Sequence, residues 1–244
     1  ELMEAIIRGA AELGVPRNDD FNGAHQEGVG LYQVTHKNGE RFSAAKAYLA
    51  PNRSRTNLQV ITGATATRIR FDGPRATGVE ARINGVPTFL PARREVLLSA
   101  GALQSPQLLM LSGIGPGEHL RSLGIDVRHD LPGVGRNLHD HVDVVAVLDA
   151  PHLTDLFGLS LRGAINLLKG VFEWRSRRSG PLTTNFAEAG GFVCSGPEVD
   201  RPDLQFHFVI GKLVDHGRKT VFGHGYSCHV CLLRPKSRGS VTLV

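Results

Sequence analysis

Residues 95–113 form the segment that most restricts how this chain folds. Residues 96–98 are apolar without the alternation of a half-exposed strand, which predicts a strand buried on both faces, as in a parallel sheet. The strand runs into the small residues 99–101, and Ser105 with Pro106 then supplies an N-cap and a first-turn proline for a helix. Ligands of doubly wound sheets bind beyond the carboxyl ends of the strands, where a helix start offers free N–H groups. The segment therefore predicts a ligand-binding strand–turn–helix unit of the α/β class.

A β-meander is predicted just before this unit, between Leu58 and Leu98. Its three or four short strands are separated by two turn signals, Asp72-Gly73-Pro74 and Asn84-Gly85. An Asn-Gly pair between apolar runs is the strongest short-range signal for a hairpin.

The second half of the chain has a different pattern. A long helix is predicted from about Leu159 to Arg178. One stripe of this helix is apolar and consists of Leu161, Ile165, Leu168 and Phe172. Strand-like runs follow near Phe186, Leu204, Tyr226 and Val241. This order predicts an α+β region in which an antiparallel sheet packs with helices.

Composition excludes several classes of protein. The net charge of +5 is spread along the chain and forms no basic stripe, so nucleic-acid binding is not predicted. No stretch approaches the ~20 apolar residues of a membrane span. The three cysteines, Cys194, Cys228 and Cys231, are too few and too unevenly spaced for a disulfide framework. They predict free thiols in a reducing compartment, that is, a cytoplasmic location.

Three short motifs resemble functional sites but do not meet the requirements of those sites. His139 and His141 flank Asp140 without a third ligand nearby, so a hydrogen-bonded structural role is predicted and no metal site. Cys228 and Cys231 have redox spacing but lie in a predicted strand, where residues three apart face opposite sides. The glycines of residues 113–117 follow a helix and not a strand, so they do not form a dinucleotide-binding loop.

The segment GALQSPQLLMLSGIG, from Gly101 to Gly115, resembles the second signature of the glucose-methanol-choline (GMC) oxidoreductases at nearly every fixed position. Segments resembling the choline dehydrogenase-like branch occur in the expected order around it: DFNGAHQEGVGLYQVT, ARREVLLSAGA, DLPGVGRNLHDH, GPLTTNFAEAGGF, DHGR and CLLRPKSRGSV. The resemblance covers essentially the whole chain.

This resemblance implies the central portion of a two-domain flavoprotein. Residues 1–36 would be an opening helix and loop of the substrate or interdomain part, 37–148 part of a doubly wound FAD-binding domain with its β-meander, and 149–244 part of the antiparallel-sheet substrate domain. The FAD-contacting residues would be Ala66 at the adenine, Ser99, Ala100 and Gly101 at the turn, and Asn137. The alternatives are an ordinary meander strand at Ala66 and, at Gly101, a glycine that merely permits a tight turn.

The implied activity is transfer of hydride from a primary alcohol to flavin. Glu188 would attract a cationic substrate group such as trimethylammonium; the alternative is a surface or salt-bridged glutamate. The family's catalytic histidine matches no residue of this chain, so no catalytic residue is assigned and the isolated chain is expected to be inactive. The intact protein is expected to be cytoplasmic, with peripheral membrane association and a homo-oligomer both open. A flavin-containing hydroxynitrile lyase and a non-catalytic, partner-binding subunit are the alternative functions.

Overall fold

The structure is a computed structural model that describes residues 1–244, apart from the side chain of His216. Its α-helices are α1 (Leu2–Glu12), α2 (Gly101–Leu111), α3 (Gly117–Ser122) and α4 (Leu161–Arg177). Its strands are β1 (Gly28–Leu31), β2 (His36–Lys37), β3 (Glu40–Arg41), β4 (Ala64–Asp72), β5 (Arg75–Ile83), β6 (Val86–Pro91), β7 (Ile114–Gly115), β8 (His129–Asp130), β9 (Arg136–Leu138), β10 (Val142–Asp149), β11 (Gly158–Leu159), β12 (Ala187–Val193), β13 (Leu204–Val209), β14 (Gly223–Leu232) and β15 (Gly239–Ser240). None of the described helices is long and apolar enough to cross a bilayer.

The chain divides into two compact units. Unit 1 comprises Glu1–Ser54 and His141–Pro235, and unit 2 comprises Arg55–Asp140 and Lys236–Val244. These boundaries differ from those predicted after residues 36 and 148. Residues 37–54 and 141–148 pack within unit 1, and the last nine residues return to unit 2, where β15 pairs with β9. The assignment of FAD to residues 37–148 and of the substrate to residues 149–244 stays a prediction.

Unit 1 is built on a six-stranded antiparallel sheet. Its strand order is β1-β12-β13-β14-β10, and β11 pairs with β14 off this path. Helix α1 packs on the sheet through Met3 and Ile7, which meet Val29 and Ala189 in a buried cluster. The burial of these apolar side chains stabilises the packing of α1 on the sheet. The predicted α+β character of this part of the chain is confirmed.

Helix α4 matches the helix predicted from about Leu159 to Arg178 and packs within unit 1 through the side that carries Gly170 and Trp174. The Trp174 indole donates a hydrogen bond to the Gly39 carbonyl oxygen at 2.7 Å, and a Cβ added at Gly170 would lie 2.9 Å from Pro181. The apolar stripe is exposed, with Leu161 at 82%, Ile165 at 44%, Leu168 at 71% and Phe172 at 76%. The glycine side packs because it allows the closer approach.

Unit 2 contains the predicted β-meander. Strands β4, β5 and β6 form an antiparallel sheet, with Asp72-Gly73 and Asn84-Gly85 at its two turns. Asn84 and Gly85 have φ angles of 50° and 86°. A two-residue turn with positive φ at both positions matches the right-handed twist of the strands that it joins.

The predicted buried strand at residues 96–98 does not form in this chain. Residues 95–100 have no strand assignment, and Leu97 is 81% exposed. Residues 58–61, predicted as the start of a meander strand, likewise have no strand assignment and are exposed. A strand exists only through hydrogen bonds to a neighbour, and no strand pairing in the described part of the chain includes either segment.

Unit 2 is held together by the end of α2. Met110, Ser112 and Leu120 are fully buried. The Ser112 hydroxyl donates to the Leu108 carbonyl oxygen at 2.6 Å and accepts from the Ile69 N–H at 2.8 Å. This one side chain therefore ties the helix to β4.

We expect Ser112→Ala to lower the free energy of unfolding by about 1–3 kcal/mol, because the buried Ile69 N–H would lose its acceptor. Denaturant unfolding followed by circular dichroism measures this change. Ser122→Ala is the matched control, since the exposed Ser122 hydroxyl makes one local hydrogen bond to His119. Equal stabilities for the two variants would contradict the role given to Ser112.

Candidate functional site

The turn at Ser99–Gly101 leads directly into α2. Gly101 has φ +82°, a backbone conformation that residues other than glycine rarely adopt. The predicted N-cap at Ser105 is wrong, because α2 starts at Gly101 and places Pro106 inside the helix. The Ser105 hydroxyl instead accepts a hydrogen bond from the Ala100 N–H at 3.1 Å. Ser105 thus stabilises the turn from within the helix.

The turn is open on its outer side. Ser99, Ala100 and Gly101 are all exposed, and no atom lies within 4 Å of the position that a Cβ on Gly101 would take. The first N–H groups of a helix have no acceptor within that helix, and the first turn of α2 carries no acidic side chain. The turn can therefore donate main-chain hydrogen bonds to an anionic or polar ligand that approaches closely.

Ala66 lies on β4, the strand to which α2 is tied. It is exposed and sits opposite Ala81, and the register shifts between Ala66 and Arg68. Two small side chains leave the main chain of the strand accessible. The Ser112–Ile69 hydrogen bond joins the two elements that carry Ala66 and the Gly101 turn.

Asn137 lies on β9, also in unit 2, with φ +61°. Asparagine tolerates this region better than most residues because its side chain interacts with the nearby main chain. The Asn137 carbonyl oxygen lies 2.8 Å from His139 Nδ1, which gives that histidine a local structural contact. Among the described residues, no group of three or more His, Cys, Asp or Glu side chains is arranged to hold a metal ion.

Glu188 lies in unit 1 on β12, between Ala187 and Ala189, where the register with β13 shifts. Its carbonyl oxygen accepts a hydrogen bond from the Tyr32 N–H at 2.9 Å, and the residue is half-buried. The irregularity interrupts the strict alternation of side chains along the strand.

A polar cluster that the sequence did not indicate lies on the sheet of unit 1. His229 Nδ1 is 2.8 Å from Asp143 Oδ2, and the Cys231 thiol lies 3.5 Å from the other oxygen of the same carboxylate. Burial, followed by the negative charge of Asp143, raises the pKa of Cys231 to about 11. Burial also raises the pKa of Tyr32 to about 12 and lowers the pKa of His207. The shifted groups are therefore uncharged at neutral pH, and Cys231 is a poor nucleophile.

The two cysteines of the redox-like motif are free and lie on opposite faces of β14, as predicted. Cys228 is opposite Ala146 and Phe208, whereas Cys231 is opposite Asp143 and Gln205. Only the register of strands distant in sequence brings Asp143 to Cys231, so sequence spacing alone gave no signal for the cluster.

Unit 1 also contains a cavity of about 1070 Å³ between α4 and residues 209–223. Its wall is mainly apolar and includes Leu156, Phe157, Phe186 and Val209. The Phe157 and Phe186 rings lie 4.6 Å apart. Glu188 does not line this cavity, although Phe186, two residues earlier, does.

Comparison with known proteins gives consistent matches. The GMC oxidoreductase family profile matches residues 1–143. An alcohol dehydrogenase [acceptor] of Pseudomonas putida is 46% identical over 99% of this chain and 44% of its own length. An oxygen-dependent choline dehydrogenase of Staphylococcus xylosus is 41% identical over 99% of this chain and 43% of its own. The chain thus spans less than half the length of these relatives.

Solved structures match over the same extent. A pyridoxine 4-oxidase from Mesorbium loti aligns with a TM-score of 0.78 and 27% identity, over 99% of this chain and 43% of its own. A formate oxidase aligns with a TM-score of 0.82 and 24% identity, over 99% and 46%, which is a likeness of fold. The α/β plus α+β fold class predicted from the sequence is confirmed.

We expect the free energy of unfolding to fall as the pH rises from about 9 to about 11, because the folded state retains the Cys231 proton that the unfolded chain releases. Below this window the contribution is fully present. Cys231→Ala should make the decline shallower, while Tyr32 continues it at higher pH. Denaturant unfolding across the window measures the slope, and parallel curves for parent and variant would refute the assignment.

Proposed function

The chain belongs to the GMC oxidoreductase family, and from this premise we propose that the whole protein is an FAD-dependent alcohol dehydrogenase. The single observation that carries the proposal is the turn at Gly101, which is open to a ligand and has a positive φ that a side chain would strain. The reaction would oxidise the CH–OH group of a primary alcohol. Bound FAD would supply the hydride acceptor.

The residues of unit 2 fit an FAD nucleotide. The main-chain N–H groups at the start of α2, from Gly101 onward, are free donors for its polar oxygens. Ala66 is exposed, and its small side chain leaves the main chain accessible to an adenine ring. Asn137 presents an exposed amide on the same unit. These are the positions that we propose hold the cofactor.

An alcohol substrate is supported by the names of two relatives, an alcohol dehydrogenase and a choline dehydrogenase. We propose that Glu188 favours cationic alcohols, because a half-buried carboxylate attracts a positive charge more strongly than one in bulk water. No residue of this chain is proposed as the base that removes the hydroxyl proton. Neither the hydroxynitrile lyase nor the partner-binding subunit is favoured by these comparisons.

A cytoplasmic location is proposed on the three free cysteines, which are typical of a reducing compartment. A homo-oligomer is proposed from the exposed apolar side chains of Leu58, Val60, Ile61 and Leu97, since surfaces of this kind are usually covered by protein.

Gly101→Val in the whole protein should abolish most flavin binding, because a branched side chain would strain the positive φ of the turn and occupy the open space beside it. Gly73→Val is the matched control: Gly73 also has positive φ and no atom near its Cβ position, but it lies at the meander turn. The flavin absorbance that co-elutes with each purified protein measures binding. Equal flavin content in the two variants would refute the proposed cofactor contact.

Glu188→Gln should raise the KM for choline about tenfold, since it removes one attractive charge. The KM for benzyl alcohol, which is neutral, should change little. Steady-state kinetics with both alcohols measures the split. A similar change for both alcohols, or none for choline, would place Glu188 outside the substrate site and leave the flavin assignment untouched.

A further inference from the structure

We propose that Ser160 and His224 form a hydrolytic site, in which Ser160 is the nucleophile and His224 is the base for hydrolysis of carboxylic esters. Ser160 Oγ lies 2.6 Å from His224 Nε2, and His224 Nδ1 lies 3.0 Å from the Leu156 carbonyl oxygen. A nucleophile within hydrogen-bond reach of a base, which a third group orients in turn, is the arrangement that activates a serine hydroxyl. All three residues belong to unit 1, so the inference does not rest on the proposed flavin site of unit 2.

The hydrogen bonds fix the direction in which the Ser160 proton moves. The Leu156 carbonyl oxygen can only accept, so the proton of the neutral imidazole is on Nδ1. His224 Nε2 then carries a lone pair and accepts from the Ser160 hydroxyl. His224 is 4% exposed, so the packing around the imidazole holds it in this orientation. The pair is therefore arranged for transfer of a proton from oxygen to nitrogen.

Ser160 stands between a strand and a helix. Strand β11 ends one residue before it, and α4 begins one residue after it. A serine in a tight strand-to-helix turn, flanked by glycines, is typical of hydrolase nucleophiles. Here a Cβ on Gly158 would lie 2.6 Å from His224 Nδ1, and a Cβ on Gly163 would collide with the Gly158 carbonyl oxygen. Because Gly163 follows Ser160 by three residues and not two, the G-x-S-x-G pattern does not identify this turn in the sequence.

Main-chain N–H groups next to Ser160 can stabilise the negative charge of an attacked carbonyl oxygen. The first N–H groups of an α-helix have no acceptor within that helix. In α4 the Gly163 N–H donates to Ser160 Oγ at 2.9 Å, which leaves the N–H groups of Leu161 and Arg162. The positive end of the α4 dipole lies at the same place. An oxyanion that forms beside Ser160 is therefore stabilised by donors that are already in place.

The apolar cavity of unit 1 lies beside the pair. Ser160 and Gly163 line this cavity of about 1070 Å³, together with the side chains of Leu156, Phe157 and Val209. Ser160 is exposed, so a ligand in the cavity can reach its hydroxyl. Apolar walls with a few polar groups suit a ligand that is mostly hydrocarbon. The substrate class is therefore an ester with an aliphatic acyl chain.

The reaction has two steps. Ser160 Oγ forms a bond to the carbonyl carbon while its proton passes to His224 Nε2, and the bond from that carbon to the ester oxygen breaks as the alcohol leaves with the proton. Water then attacks the acyl-serine through His224, which releases the carboxylic acid and restores the Ser160 hydroxyl. Esters are expected rather than amides, because His224 is oriented by a neutral carbonyl oxygen, which stabilises an imidazolium less than the carboxylate of a triad does.

Release of p-nitrophenolate from p-nitrophenyl octanoate by the full chain tests the proposal. We expect Ser160→Asn to lower kcat/KM about a hundredfold, because it removes the nucleophile. Asparagine is as good an N-cap as serine, so this variant keeps the cap of α4. Ser195→Ala is the matched control and should react like the parent, because the exposed Ser195 hydroxyl donates to Asp203 and not to a histidine.

His224→Ala should lower kcat/KM about a hundredfold as well, since the base is lost. Added imidazole, which fits the space left by the side chain, should restore part of the rate in this variant but not in Ser160→Asn. A fluorophosphonate should label Ser160 of the parent, as peptide mass spectrometry measures, and all variants should have the parent's circular dichroism spectrum. No ester hydrolysis by the folded parent, equal rates for the parent and Ser160→Asn, or a label on Ser195 in place of Ser160 would overturn the proposal.

Discussion

The buried hydroxyl of Ser112 is the contact on which the arrangement of unit 2 depends. It joins the end of α2 to the middle of β4 through Ile69, in a region where Met110 and Leu120 are also fully buried. Because the end of the helix is fixed, its beginning is fixed as well. The turn at Gly101 is therefore presented by a rigid support, as a site that binds through main-chain atoms requires.

The features that could be predicted from the sequence are those set by local chemistry. The Asn84-Gly85 turn follows from the tolerance of these two residues for positive φ, and the small residues before α2 predicted the turn that the structure contains. The start of α2 was placed at Ser105 because Ser-Pro is a common N-terminal signal. The Ser105 hydroxyl instead accepts from the Ala100 N–H and stabilises the turn before the helix. This hydrogen bond depends on the conformation of Gly101, which the sequence pattern does not reveal.

The features that could not be predicted depend on partners distant in sequence. Apolar residues 96–98 satisfy the pattern of a buried strand, but a strand needs a hydrogen-bonded neighbour and this segment has none among the described residues. In α4 the apolar stripe does not identify the packed face, because Gly170 and Trp174 determine which side packs. Within residues 96–98 Leu97 is exposed, and the main chain has no strand partner among the described residues. The segment therefore suits a further strand as its partner.

Hydrogen exchange of the whole protein with and without FAD tests whether the turn before α2 contacts the cofactor, because it reports on individual main-chain amides. We expect slower exchange on addition of FAD at residues 100–103 and 64–67, with no change at the Asn84-Gly85 turn of the same unit. Unchanged exchange at residues 100–103, in a sample that has bound FAD, would show that the turn before α2 is not where this family member holds its cofactor.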